Sequence, residues 1–196
     1  MSCNKLFKEA LGLMNSNTDI LKSWITDSRH IVNDYISKGS NAHMDKFFRD
    51  VTPEYRNTTY RVGMLDSKTA ANLKEGDYTE NIFPFATSKN SEENEIFDRI
   101  TTNRLKKHKD KVKVIYRIHN SSVPQYDISG INPAETEVLI KPNTIFRVDR
   151  ISEYGDKKII DLVAPAKQKL VRSKRKLTTL LSAGALIGTQ QESLTK

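Results

Sequence analysis

Residues 135–148 read Glu-Thr-Glu-Val-Leu-Ile-Lys-Pro-Asn-Thr-Ile-Phe-Arg-Val, an apolar run opened by two carboxylates and closed by a turn. Glu137 to Ile140 has the length and β-branched content of a short strand, and Pro142-Asn143 supplies the chemistry that ends it. Glu135 and Glu137 stand two apart at its mouth, a spacing that places both carboxylates on one face. Like charges so placed raise one pKa unless a cation lies between them. The pair can therefore hold a cation, while a solvated strand edge is the other reading of the same spacing.

Working outward, Thr144 to Ser152 and Lys157 to Val163 are two further strands, and Val112, Val114, Tyr116 and Ile118 alternate as a half-buried strand does. The turns at Pro142-Asn143 and Gly155-Asp156 are short enough for antiparallel hairpins. Upstream, Thr58 to Met64 and Ile82 to Thr87 read as strands, with a short helix from Ser67 to Lys74 ended by Gly76. Asn90 with Glu93 forms a capping box that opens a helix to about Lys107.

The first quarter is helical. From Asn17 to Ser37, Ile20, Leu21, Trp24, Ile25, Ile31, Val32, Tyr35 and Ile36 recur at three- and four-residue steps, and Gly39 supplies the stop. A shorter helix opens at Asn4, and another covers Ala42 to Arg49. Helices first and antiparallel strands later predict an α+β fold.

Composition narrows the function classes. The 196 residues, 37% hydrophobic, suffice for one core-bearing domain, expected over 1–164 with a helical lead-in over 1–50. The formal charge is +8, and residues 165–196 hold seven lysines and arginines against Glu192 alone, so +6 of it is a basic tail. Folded DNA-binding domains spread such charge over a face. The tail reads either as a disordered extension or as a helix that docks on nucleic acid or an acidic partner. Its apolar stretch from Leu177 to Gly188 is too short and too interrupted to span a bilayer, so no membrane is expected. No export signal is evident and Cys3 is alone, which predicts a cytoplasmic protein.

Several chemistries are not supported. His30, His43, His108 and His119 lack the spacing of metal ligands, so no metal is expected. Gly63, Gly76 and Gly130 are isolated and build no phosphate loop. No serine lies in a nucleophile elbow.

Three segments in order carry a resemblance: Thr59-Tyr60-Arg61-Val62-Gly63, then Phe85-Ala86-Thr87-Ser88, then Glu135-Thr136-Glu137 running through Pro142 to Phe146-Arg147-Val148. Together they resemble the mono-ADP-ribosyltransferases of the arginine, serine, glutamate class. Members of that class carry an arginine after an aromatic on one strand, a Ser-Thr-Ser motif on a later one, and Glu-x-Glu before a hairpin. The likeness covers roughly Asn17 to Val163 and is to the arginine-specific type, as in small phage enzymes and bacterial exoenzymes. Ala86 stands where the family has the serine that orients its catalytic glutamate.

The resemblance implies a fold with N-terminal helices and two packed, mainly antiparallel sheets around a cleft for NAD, which is the co-substrate. It implies that Glu137 stabilises the positive ribose as nicotinamide leaves, that Arg61 holds NAD, and that Thr87 and Ser88 position NAD and Glu137. Tyr60 and Phe97 are candidates for stacking on nicotinamide, or are core. Glu135 would select arginine, because a guanidinium with a pKa above about 12 needs a carboxylate to orient it and take its proton. The loop Ser129 to Ala134 would present the target protein. Partners implied by analogy are proteins with an accessible arginine, the transcription machinery of an infected host among them, with catalysis in the host cytoplasm. Two other functions are compatible with the same residues: a non-enzymatic nucleic-acid- or protein-binding member of the fold, and an NAD glycohydrolase that uses water as acceptor.

Overall fold

A computed structural model describes residues 17–90, 101–119, 123–131, 136–155, 157–165 and 178–179. Glu135, Phe97, Cys3, the helix expected from Asn4 and most of the basic tail lie outside these residues. The elements in chain order are α1 (17–27), α2 (Arg29–Lys38), α3 (Ala42–Asp50), β1 (Thr59–Asp66), α4 (Ser67–Asn72), β2 (Tyr78–Asn81), β3 (Phe85–Ser88), α5 (101–105), β4 (Lys111–His119), β5 (Gln125–Asp127), β6 (Glu137–Ile140), β7 (Thr144–Tyr154), β8 (Lys157–Val163) and β9 (Thr178–Thr179). The α+β reading holds.

The helix expected over 17–37 is broken in two at Ser28. Asp27 flanks the break: its carboxylate accepts the Arg29 backbone N–H at 3.1 Å and the Arg29 Nε at 2.8 Å, local bonds of the kind that compete with the helix ladder. Gly39 ends α2 as expected, in the left-handed region at φ 75°, with its N–H on the Tyr35 carbonyl. Asn41 caps α3 by accepting the Met44 N–H at 3.0 Å. On the other side of the first strand, Asp66 caps α4 through the Thr69 N–H, and that helix stops at Asn72, short of Lys74.

Among the described residues, nine strands are joined into one sheet in the order β5-β6-β3-β1-β4-β8-β7-β2-β9. Neighbours are antiparallel except β4 with β8 and β2 with β9, which run parallel. This corrects the expectation of two separate sheets. A bent ribbon makes the difference: Tyr78↔Arg147 through Asn81↔Thr144 and Phe85↔Ile140 through Ser88↔Glu137 keep one unbroken register on either side of a corner at 82–84 and 141–143. Pro142-Asn143 is consequently a bend and not a hairpin turn, since β6 pairs with β3 and β5 while β7 pairs with β2 and β8. Gly155 does close a hairpin, between β7 and β8.

Asn81 fastens the corner. Its Nδ2 donates to the carbonyls of Phe83 and Lys141 at 2.9 Å each, its Oδ1 accepts the Thr144 N–H at 3.0 Å, and its own carbonyl accepts the Asn143 N–H at 2.6 Å. Buried backbone groups freed by the bend are thereby satisfied, as an apolar interior requires.

The curled sheet has two apolar faces. One encloses Leu65, Phe85, Val114, Tyr116, Ile118, Ile140, Phe146, Val148, Ile160 and Leu162 together with Ala70 and Leu73 from α4 and its cap. The other carries the helices: Leu21, Trp24, Ile31, Val32, Tyr35, Met44 and Phe47 pack on Phe83, Tyr126, Ile128 and Leu139. Each large side chain so buried contributes about 1.5–3 kcal/mol, enough to lock α1–α3 against the third of the sheet that carries Glu137. No helix among the described residues is long and apolar enough to cross a membrane.

Candidate active site

Strand alternation and pairing decide which side chains meet. Ser88 ends β3 and lies directly opposite Glu137, the first residue of β6; on its other side it pairs with Tyr60 of β1. Direct partners point to one face of a sheet, so Tyr60, Ser88 and Glu137 form a row across three strands. That face is the one covered by the helices, because Leu139, two residues after Glu137, packs in the helical cluster with Ala86 against it.

Beyond Tyr60↔Ser88 the strands diverge: β1 pairs with β4 along its full length, but with β3 at this one position. Arg61 fills the wedge. Its Nη1 donates to the Ala86 carbonyl at 2.6 Å, and its guanidinium lies 4.5 Å from the centre of the Phe85 ring. Burial pushes its pKa down to about 10, opposed by the nearby Tyr116 and Glu137, whose negative forms favour the cation. Although Arg61 as a residue is only half-buried, its Nε is fully shielded and has no hydrogen-bond partner among the described residues.

Glu137 accepts a 2.8 Å hydrogen bond on Oε1 from the indole Nε1 of Trp24, on α1. The Ser88 hydroxyl accepts the Asn90 backbone N–H at 3.0 Å and is 3.1 Å from Thr136 Oγ1, which orders the chain on both sides of the Ser88–Glu137 pair. Lys89, next along, donates its backbone N–H to the Thr136 carbonyl at 2.9 Å. The Lys89 ammonium bonds Asp127 and the Ser129 hydroxyl, fixing the start of the loop expected to meet a target. Burial pushes the Asp127 carboxyl up, but hydrogen bonds from Lys89 and Ser129 outweigh it, so the carboxyl stays below its ordinary value.

The expected residues thus divide. Ser88, Tyr60 and Glu137 share one face at the β1–β3–β6 junction, while Arg61, next to Tyr60, starts from the face of Tyr116 and Phe85 and is near enough to feel the Glu137 charge. Thr87 faces the opposite side, buried, with its hydroxyl on the Val138 carbonyl at 2.9 Å; it ties β3 to β6 and does not reach Glu137. Glu135 and Phe97 lie outside the described residues. Three contacts escaped the sequence reading: the Trp24 N–H on Glu137, from what looked like one more apolar helix position; the Phe85 ring under the guanidinium; and the Ala86 carbonyl that accepts from Arg61.

A second polar cluster lies across β4 and β8. Arg117 grips Asp161 with two bonds of 2.6 and 2.7 Å, and His119 Nε2 is 2.9 Å from the same carboxylate. With Glu75, Asp149 and Arg150 these residues line a groove of about 470 Å³ that none of Arg61, Ser88 or Glu137 borders. Among the described residues, no three His, Cys, Asp or Glu side chains are grouped to hold a metal ion.

No protein-family model and no curated protein sequence matches the chain. Solved structures do. ADP-ribosyltransferase Vis of Vibrio splendidus, in complex with agmatine, aligns over 94% of both chains with a TM-score of 0.57 at 17% identity. The C3 exoenzyme of Clostridium limosum aligns over 76% of this chain and 85% of its own, with a TM-score of 0.53 at 14% identity. The type III effector XopAI of Xanthomonas axonopodis pv. citri aligns over 76% and 66%, with a TM-score of 0.51 at 21% identity. The fold is that of the ADP-ribosyltransferases.

Proposed function

We propose, from the ADP-ribosyltransferase fold and the junction it builds, that this chain is an NAD-dependent mono-ADP-ribosyltransferase that modifies arginine side chains of target proteins. The observation that carries the reading is the junction of β1, β3 and β6, where Ser88 stands opposite Glu137 and Arg61 bonds the Ala86 carbonyl within range of the Glu137 charge. These are the three residue types the resemblance requires, drawn from well-separated stretches of the sequence.

The residues fit NAD. The always charged guanidinium of Arg61 suits a phosphate or ribose oxygen, and a rigid fork on a strand would hold it with less ordering cost than a lysine would. NAD supplies the electrophilic ribose carbon and the nicotinamide leaving group. Glu137 would face that carbon and stabilise the charge that develops as the bond to nicotinamide lengthens, a preorganised electrostatic role of about 3 kcal/mol or more. Ser88 and Thr136 hold the strand ends that aim it. Tyr60, in the same row, would stack on a planar ring.

Arginine as acceptor rests on Glu135, two residues before Glu137, as the carboxylate that orients a guanidinium and takes its proton. The agmatine bound to Vis carries a guanidinium, which supports this choice by analogy of fold. The segment anchored at Ser129 would present the target, and the basic residues of 165–196 would add attraction to an acidic partner or nucleic acid. Action on host proteins inside a cytoplasm follows as part of the same proposal.

Incubating the protein with labelled NAD and agmatine tests the acceptor. Labelled ADP-ribosyl-agmatine with stoichiometric nicotinamide release is expected. Nicotinamide release with free ADP-ribose alone would make the protein a glycohydrolase, and no release at all would make it a binding protein.

A further inference from the structure

In the proposed reaction Glu137 is the carboxylate that stabilises the ribose. A carboxylate serves that role only if both its charge and its direction are held before the reaction. On its own strand Glu137 is the first residue, and on the facing strand the position beside it towards the corner is Ala86, which has no side-chain donor. One donor to Glu137 comes from elsewhere in the chain, on α1.

Resting on that role for Glu137, we propose that Trp24 is its positioning residue: the indole N–H, at 2.8 Å from Oε1, fixes the carboxylate from the side of α1. The indole cannot swing away cheaply. Trp24 is 6% exposed and sits in the cluster formed by Leu21, Ile31, Val32 and Tyr35 with Leu139 of β6, so ring and carboxylate are carried by elements packed on each other. The chemistry of the donor also suits the task. An indole N–H donates but neither accepts nor titrates, so it orients the carboxylate without taking its proton or cancelling its charge, as a lysine would. A carboxylate has acceptor sites for several bonds, so the bond from Trp24 does not by itself exclude a ribose hydroxyl. The arrangement gives α1, which holds none of the motif residues, a direct part in the chemistry.

Trp24 is the only tryptophan, so its fluorescence reports the contact without any need for activity. Excitation moves electron density away from the pyrrole nitrogen, and a carboxylate beside that nitrogen stabilises the excited state. Glu137→Gln is therefore expected to shift the emission to the blue. In the kinetic arm, Trp24→Phe keeps a buried ring and removes the N–H. Its kcat for nicotinamide release should fall about 10- to 100-fold, with KM for NAD changed less than about twofold and the thermal unfolding midpoint retained.

An active parent with Trp24→Phe turning over at the parent rate would overturn the proposal. So would a lost kcat with an emission that ignores Glu137→Gln, since the loss would then not pass through this contact. If Trp24→Phe fails to fold, the emission response of the natural tryptophan still decides whether the contact exists. A parent that releases no nicotinamide, with the emission response intact, would instead overturn the catalytic reading of Glu137 and the positioning role with it.

Discussion

Arg61 and Ala86 are tied by a 2.6 Å hydrogen bond from the guanidinium to a backbone carbonyl, so the arginine is held by the course of β3 and not by the side chain at position 86. An alanine at this point leaves the placement of Arg61 untouched. What it removes is a hydroxyl on the face of Glu137, and the Trp24 N–H meets that carboxylate from the opposite wall.

Arg61→Lys should separate charge from geometry. A lysine keeps the positive charge but loses the planar fork, the stacking on Phe85 and the shielded Nε donor. NAD affinity measured by calorimetric titration is expected to weaken about 10- to 100-fold, in line with the loss of about 1.5–3 kcal/mol for a hydrogen bond to a charged group. Affinity within twofold of the parent would make Arg61 a structural residue.

Asn81→Ala should loosen the corner that sets Ser88 opposite Glu137. Three side-chain hydrogen bonds of about 1 kcal/mol each are lost, and the carbonyls of Phe83 and Lys141 lose a donor each. A loss of about 3 kcal/mol or more is expected in urea denaturation. A change under about 1 kcal/mol would show that the flanking ladders hold the bend unaided.

Much of this architecture was legible locally. The strands Glu137–Ile140 and Lys157–Val163 fall on the residues that apolar alternation and turn chemistry marked, and the Asn41 cap and the Gly39 stop bound α3 and α2. Pairing was harder to read. Local pattern shows that β6 and β7 are strands but not that each finds its partner on the ribbon of β2 and β3, nor that β8 runs parallel to β4. The polar Tyr78–Asn81 and the three-residue β5 carry too little periodicity to be seen, and the strand expected at Ile82 begins only at Phe85, past the corner. Of the candidate site, Arg61 and Glu137 were singled out through motif order. Trp24 was not, because its partner lies 113 residues away and nothing in a helical repeat distinguishes a packed ring from a donating one.

Acid should weaken the fold through Asp161. Burial pushes this carboxyl up, but the hydrogen bonds and charges of Arg117 and His119 outweigh it, so its pKa in the folded protein lies below the unfolded value. For a depressed carboxyl the stabilisation is complete above the unfolded pKa, about 3.9, and is lost as pH falls through the folded one. Asp161→Asn is expected to cost about 1–3 kcal/mol at pH 7, with the gap to the parent closing as pH drops below about 4. A gap that stays constant down to about pH 3 would mean that packing, not charge, is what Asp161 supplies.

The most direct measurement compares the parent with Glu137→Gln on labelled NAD and a bacterial lysate. The substitution keeps the size of the side chain and an acceptor for the Trp24 N–H, while removing the charge. The account predicts label on a small number of proteins with the parent, and labelling slower by about 100-fold or more with the variant, both proteins unfolding at the same temperature. Equal labelling by the two would contradict the account at its centre.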